Sequence, residues 1–125
     1  MLGYFSGFNL NNGEQNVFVG IESGYSMLNG SDNVFIGTYA GGGAEGGFNN
    51  ISIGYESGYS NTTGGFNNFI GWRAGLNNDT GFFNNFFGYQ AGYNNTTGED
   101  NILLDKIQVF KTQQEVKMFF CGFLS

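Results

Sequence analysis

The chain is predicted to be an all-β protein, a β-solenoid (β-roll) of six 17-residue coils with a short C-terminal strand or helix cap, and three observations predict it. The first is an internal repeat, the feature that decides fold before any local propensity does. Gly3, Gly20, Gly37, Gly54, Gly71 and Gly88 advance in equal steps of 17, and so do Asn16, Asn33, Asn50, Asn67, Asn84 and Asn101. Two more glycine columns, from Gly7 to Gly92 and from Gly13 to Gly98, keep the same step. The second is composition: 23 glycines, 18% aromatics and no proline in 125 residues. That mixture suits many tight turns joining short strands. It fits neither a disordered chain, which would be charged and poor in aromatics, nor collagen, which needs proline and glycine at every third place. The third is the apolar triplet that closes each unit, as in Asn33-Val34-Phe35-Ile36-Gly37.

One unit read from its first glycine runs Gly-Tyr-x-Ser/Ala-Gly-Tyr-Asn-x-x-Thr-Gly-x-x-Asn-Val-Phe-Ile, and Gly54 to Ile70 is a clear copy. Such a unit is too short for two packed helices, and each interior glycine would cost a helix about 1 kcal/mol. Apolar runs bounded by Gly and Asn read instead as strands and turns. A single unit cannot bury its own apolar positions, but coils stacked ~4.8 Å apart convert every column into a ladder. The first strand is expected from the Asn column to the second repeat position, and a second strand around the aromatic sixth position. The Asn-x-Thr-Gly stretch forms the far turn. Glycine columns mark corners that need positive φ or close backbone approach, and an inward Asn column would form an amide ladder.

Alternation within the strand puts Val34 and Ile36 on one face and Phe35 on the other. Both faces are apolar, so burial on both is expected, and Phe18, Phe35, Phe69 and Phe86 become candidates for a subunit interface. The third unit, with its Gly41-Gly42-Gly43 run, lacks the sixth-position aromatic and should be the loosest. Residues 3–104 thus form the repeat domain and residues 105–125 a cap or tail. Within that tail Ile107 to Phe110 could add a strand. Thr112-Gln113-Gln114-Glu115 reads as a capping box, followed by apolar residues at helix spacing. The repeat is expected to belong to a longer array or to stack on another copy.

Net charge narrows function. It is −6, and residues 1–104 carry Arg73 as their single base. An acidic surface repels phosphate backbones, so nucleic acid is not an expected partner. No apolar run long enough to span a bilayer occurs in the sequence, and Met1-Leu2-Gly3-Tyr4 has no features of an export signal. Histidine is absent and Cys121 is the one cysteine, which leaves no general base of the commonest kind and no nucleophile pair. Glu22 and Glu56 share the third repeat position but lie two coils apart, about 9.6 Å, too far for strong mutual perturbation. The glycine-rich turns have no lysine at phosphate-binding spacing. No catalytic residue, cofactor or metal is therefore expected, and the chain is not expected to be an enzyme.

The aromatic columns, Tyr4, Tyr55, Trp72 and Tyr89 with Tyr25, Tyr59 and Tyr93, could be core, interface or an exposed glycan-stacking surface. A short column of Thr63, Thr80 and Thr97 on the turn side raises ice binding as a further ligand. Asn29, Asn50, Asn61, Asn78, Asn94 and Asn95 each begin a glycosylation sequon, which an Asn- and Thr-rich turn produces by itself.

The phrases Asn33-Val34-Phe35-Ile36-Gly37 and Asn50-Ile51-Ser52-Ile53-Gly54 resemble the head repeats of trimeric autotransporter adhesins. Similar repeats occur in bacterial surface proteins and phage tail-fibre-like proteins, and the resemblance covers residues 3–104. It implies a trimeric, extracellular or cell-surface, structural or adhesive module with a host or surface ligand and no catalytic residues. The alternative expectation is a solenoid that binds glycan or ice.

Overall fold

The computed structural model describes residues 1–105, and within them the chain is an all-β solenoid with no helix. Six three-residue strands form one parallel sheet in sequence order. They are β1 (Val17–Val19), β2 (Val34–Ile36), β3 (Ile51–Ile53), β4 (Asn68–Ile70), β5 (Asn85–Phe87) and β6 (Ile102–Leu104). The register sets Val17 against Val34, Ile51 against Asn68 and Phe86 against Leu103, one repeat unit per rung. Leu2 extends the sheet by a single bridge to Val19. The strand or helix cap expected beyond Asp105 lies outside the described residues.

Each coil has one strand, not the two expected. The segment around the sixth repeat position is a run of tight turns, with bonds such as Ser6 N–H to Gly3 O, Phe8 N–H to Phe5 O and Leu10 N–H to Gly7 O. Its backbone explains why. The third position is left-handed throughout, φ 51° to 60° at Phe5, Glu22, Tyr39, Glu56, Arg73 and Gln90, and Gly7 to Gly92 follow at about the same φ two residues on. An extended run cannot pass two such residues. Between coils, these turns are still knitted by backbone bonds, as in Gly24 N–H to Ala40 O at 3.0 Å and Gly58 N–H to Ala74 O at 2.9 Å. The ladder passes through the glycine-rich third coil unbroken, with Gly41 bonded to Ser57 and Gly43 to Tyr59.

The interior is one residue wide at the strand. Phe18, Phe35, Phe69 and Phe86 point inward and are 0–1% exposed in the single chain. This corrects their assignment to a subunit interface: a ring sealed inside its own coil meets no partner. The reason is volume, because the narrow coil opposes the strand with small residues, Ala40, Ala74 and Ala91 or Ser23 and Ser57, and the Phe ring fills the gap. The Ser23 and Ser57 hydroxyls donate to the Phe35 and Phe69 carbonyls. Phe18 stacks on Phe35 with centroids 5.3 Å apart, and Phe69 on Phe86 at 5.2 Å.

Ser52 interrupts that stack. It is 1% exposed and separates two apolar clusters, one around Phe18 and Phe35 and the other around Phe69, Phe86 and Leu103. Ser52→Phe is expected to join them and to raise stability by about 1–2 kcal/mol, the value of burying a large apolar side chain less the strain of inserting it. Chemical denaturation checks this, and a lower midpoint would show that coils three and four have closed around the serine.

Candidate functional site

The inward Asn column builds the most ordered polar feature of the molecule. Asn33, Asn50, Asn67, Asn84 and Asn101 are all buried. The Oδ1 of every one but Asn101 accepts from the backbone N–H of the next coil's asparagine, as from Asn50 to Asn33 and from Asn67 to Asn50, both at 3.0 Å. The Nδ2 groups of Asn33, Asn50 and Asn67 also donate to glycine carbonyls, those of Gly47, Gly64 and Gly81, all at 2.8 Å. Buried amides are tolerable only when satisfied in this way. Among the described residues one buried side-chain acceptor lacks a partner, the Oδ1 of Asn101 on the last rung.

A second amide column was not legible in the repeat. Asn61, Asn78 and Asn95 occupy the eighth position of the last three units, with Asn78 donating to Asn61 at 2.8 Å and Asn95 to Asn78 at 2.6 Å. The first three units carry Leu10, Met27 and Ala44 there. The signal available was the change from apolar to Asn halfway along the column. Burial also sorts the sequons: Asn50, Asn61, Asn78 and Asn95 are interior, and Asn29 and Asn94 are exposed.

The glycines that open each unit have φ from 127° to 143°. A Cβ on Gly37 would stand 2.7 Å from the Gly54 carbonyl oxygen, and one on Gly54 would stand 2.5 Å from that of Gly71. Gly3, Gly20, Gly71 and Gly88 likewise meet the backbone of the next turn, so this column sets how closely coils stack.

The surface is where partners would meet the protein. The outward strand positions are Val17, Val34, Ile51, Asn68, Asn85 and Ile102 in one column and Val19, Ile36, Ile53, Ile70, Phe87 and Leu104 in the other. Burial on both faces was expected, but Val17 is 46% and Ile36, Ile70 and Leu104 are 37–38% exposed. A parallel sheet usually has both faces covered, and in this single chain one face is open. Asn68 and Asn85 bond each other across it at 2.7 Å.

Beyond the corner glycine stand Tyr55, Trp72 and Tyr89. Tyr55 and Trp72 stack at 6.1 Å and Trp72 and Tyr89 at 4.9 Å, the latter within 6° of parallel. Arg73 lies 4.4 Å over the Trp72 ring and bonds Glu56 at 2.5 Å. Glu56 is thus the base's partner and not half of a carboxylate pair with Glu22. Its hydrogen bond, followed by desolvation of the phenol and then by the carboxylate's charge, holds the Tyr55 pKa above its usual value, and its hydrogen bond raises that of Arg73. Since the rings face one another along the solenoid axis, they present edges to solvent. Glycan stacking requires open ring faces, which this column spends on itself.

A further aromatic group escaped notice because it belongs to no full column. Phe48, Phe66, Phe82 and Phe83 cluster at the corner before the strand in coils three to five, with Phe66 and Phe83 stacked at 5.1 Å. Phe48, Phe66 and Phe83 are exposed. The Thr63, Thr80 and Thr97 column is uninterrupted over the last three coils, and beside it the Asp79 carboxylate accepts from the Thr62 hydroxyl. Among the described residues no group of three or more His, Cys, Asp or Glu is placed to hold a metal ion, and no helix is long and apolar enough to cross a membrane. No protein-family model, curated protein or solved structure matches the chain.

Proposed function

We propose that this chain is a non-catalytic structural or adhesive repeat module of a cell-surface adhesin or fibre, and that it works by packing its open sheet face against further copies of itself, a trimer being favoured. The observation that carries the reading is the chemistry of that face. Its 12 outward strand positions hold ten aliphatic or aromatic residues, two asparagines and no charge. Continuous uncharged apolar surface of this kind supports association with another surface.

Size decides how much must pack. Six strands ~4.8 Å apart and three residues long offer roughly 290 Å², while a stable interface needs about 800 Å² per partner. The strand face alone is too small. The Tyr55–Trp72–Tyr89 ladder that follows it in the chain, and the Phe66–Phe83 pair that precedes it, supply the rest. Tyrosine suits the rim, since its ring buries while its hydroxyl stays wet. A second copy is the occupant we favour, because its ladders repeat with the same axial spacing and place like columns in register.

Localisation outside the cell or at its surface follows from this reading, as does the absence of catalysis. The competing reading, a solenoid that binds glycan or ice, draws on the same exposed aromatics and on Thr63, Thr80 and Thr97. It is weakened by the occupied ring faces and by the shortness of the Thr row, whose place in the first three coils is taken by Asn12, Asn29 and Gly46. Analytical ultracentrifugation of the whole chain tests the proposal. A trimer or other closed oligomer is expected, and Ile36→Lys with Ile70→Lys should dissociate it while Thr63→Lys leaves it intact. A monomer at every concentration would overturn self-association and turn attention to glycan and ice-binding assays.

A further inference from the structure

The far turn of every coil closes on a glycine, Gly13, Gly30, Gly47, Gly64, Gly81 or Gly98. A Cβ on Gly47 would stand 2.5 Å from the Gly64 carbonyl oxygen, and Gly13, Gly30, Gly64 and Gly81 meet the next turn's carbonyl more closely still. Stacking therefore closes this position to every other residue. The residue before it is free to vary, and it is Asn12, Asn29, Gly46, Thr63, Thr80 and Thr97 in turn. Only the first two coils place an asparagine directly before the obligatory glycine.

That pairing has a chemistry of its own. Without a Cβ, the glycine amide nitrogen can approach the preceding side-chain carbonyl carbon. Asn12 and Asn29 are exposed, unlike the interior asparagines of the two amide columns. Among the backbone hydrogen bonds of the described residues, neither Gly13 nor Gly30 donates its N–H, whereas Gly64 gives its own to Asp79. Both nitrogens are therefore uncommitted.

We propose that Asn12 and Asn29 are modification sites, where the protein deamidates spontaneously and loosens its first two coils. The glycine nitrogen, losing its proton to hydroxide, attacks Cγ of the asparagine. An N–Cγ bond forms, the Cγ–Nδ2 bond breaks and ammonia leaves with a proton from water. Water then opens the resulting succinimide at either carbonyl, giving aspartate or isoaspartate. Water is consumed, ammonia is released, and no oxidant or reductant takes part.

The consequence is electrostatic. Asn12 Nδ2 donates to Asn29 Oδ1 at 3.3 Å across the two coils. After reaction at both residues, two carboxylates face each other one rung apart, about 4.8 Å. Glu14 and Asp32 lie on the same two coils, and the single base of residues 1–104, Arg73, lies on the fifth. Nothing nearby neutralises the pair, and like charges in facing positions repel. Isoaspartate also adds a backbone methylene to a turn that has no room for one.

The test incubates the whole chain in mildly alkaline buffer and follows intact mass and peptide maps. A gain of one mass unit at each of Asn12 and Asn29 is expected, with isoaspartate found there and Asn94 unchanged. The Asn12→Thr and Asn29→Thr variant should gain none at the far turn, and it should fold, since Thr63, Thr80 and Thr97 occupy that place in later coils. An Asn12→Asp and Asn29→Asp variant should melt earlier at low salt and recover as salt screens the pair. Modification that reaches Asn94 as fast, or that occurs only after the chain is denatured, would overturn the proposal. Unchanged melting of the Asp variant would overturn the loosening.

Discussion

Gly54→Ala is expected to part the fourth coil from the fifth. The added methyl would stand 2.5 Å from the Gly71 oxygen and 2.7 Å from its carbonyl carbon, and Gly54 sits at φ 131°, where L-residues are strained. Both obstacles are backbone, so no side chain can swing aside. Relief requires the coils to separate, which breaks Gly71 N–H to Ile53 O and Arg73 N–H to Tyr55 O. With 1–2 kcal/mol of strain and about 1 kcal/mol for each lost bond, the change removes roughly 3–4 kcal/mol, a large part of a small domain's stability. Because each coil touches only its neighbours, hydrogen exchange should show the loss concentrated around Gly71. Gly46→Ala is the control, since a Cβ there meets nothing within 4 Å.

Asn50→Ala is expected to be about as damaging by a different route. Alanine leaves the Asn67 N–H without its 3.0 Å acceptor and removes one of two donors from the Gly64 carbonyl, which Asn61 still serves at 3.0 Å. The unpaired Asn67 N–H costs about 1–3 kcal/mol and the lost bond to Gly64 about 1 kcal/mol, so together they remove roughly 2–4 kcal/mol in denaturant titration. Asn94→Ala, at an exposed position, should stay within about 0.5 kcal/mol of the parent. Equal losses in the two variants would mean that the amide ladder contributes little beyond its backbone.

These two residues also show why the fold could be read from the chain before its coordinates. Gly54 and Asn50 belong to columns in which each residue type is dictated by one physical demand, a close approach and a satisfied buried amide, and such demands survive in every unit. Columns with looser demands misled. The aromatic sixth position looked like a strand because Tyr25 and Tyr59 favour strands, yet the left-handed residues just before it bend the chain into turns. Nothing in Phe5, Tyr39, Phe66 or Phe83 signals their positive φ, since such residues rarely adopt it. Phe35 and Ile36 are both apolar, so hydrophobicity could not choose the inward one; the narrowness of the coil does. The surface was least legible, because the Phe48, Phe66, Phe82 and Phe83 cluster joins residues from two positions and three coils.

The amide ladder has a consequence for the solenoid as a whole. Every Asn side chain in it points its C=O toward the following coil, so the amide dipoles add along the axis instead of cancelling. Chains of hydrogen bonds polarise one another, and the sum leaves a negative pole at the Oδ1 of Asn101, which has no partner among the described residues. The two ends of the described solenoid therefore differ electrically: a cation or an N–H donor is favoured at the sixth coil, and an anion or acceptor at the first.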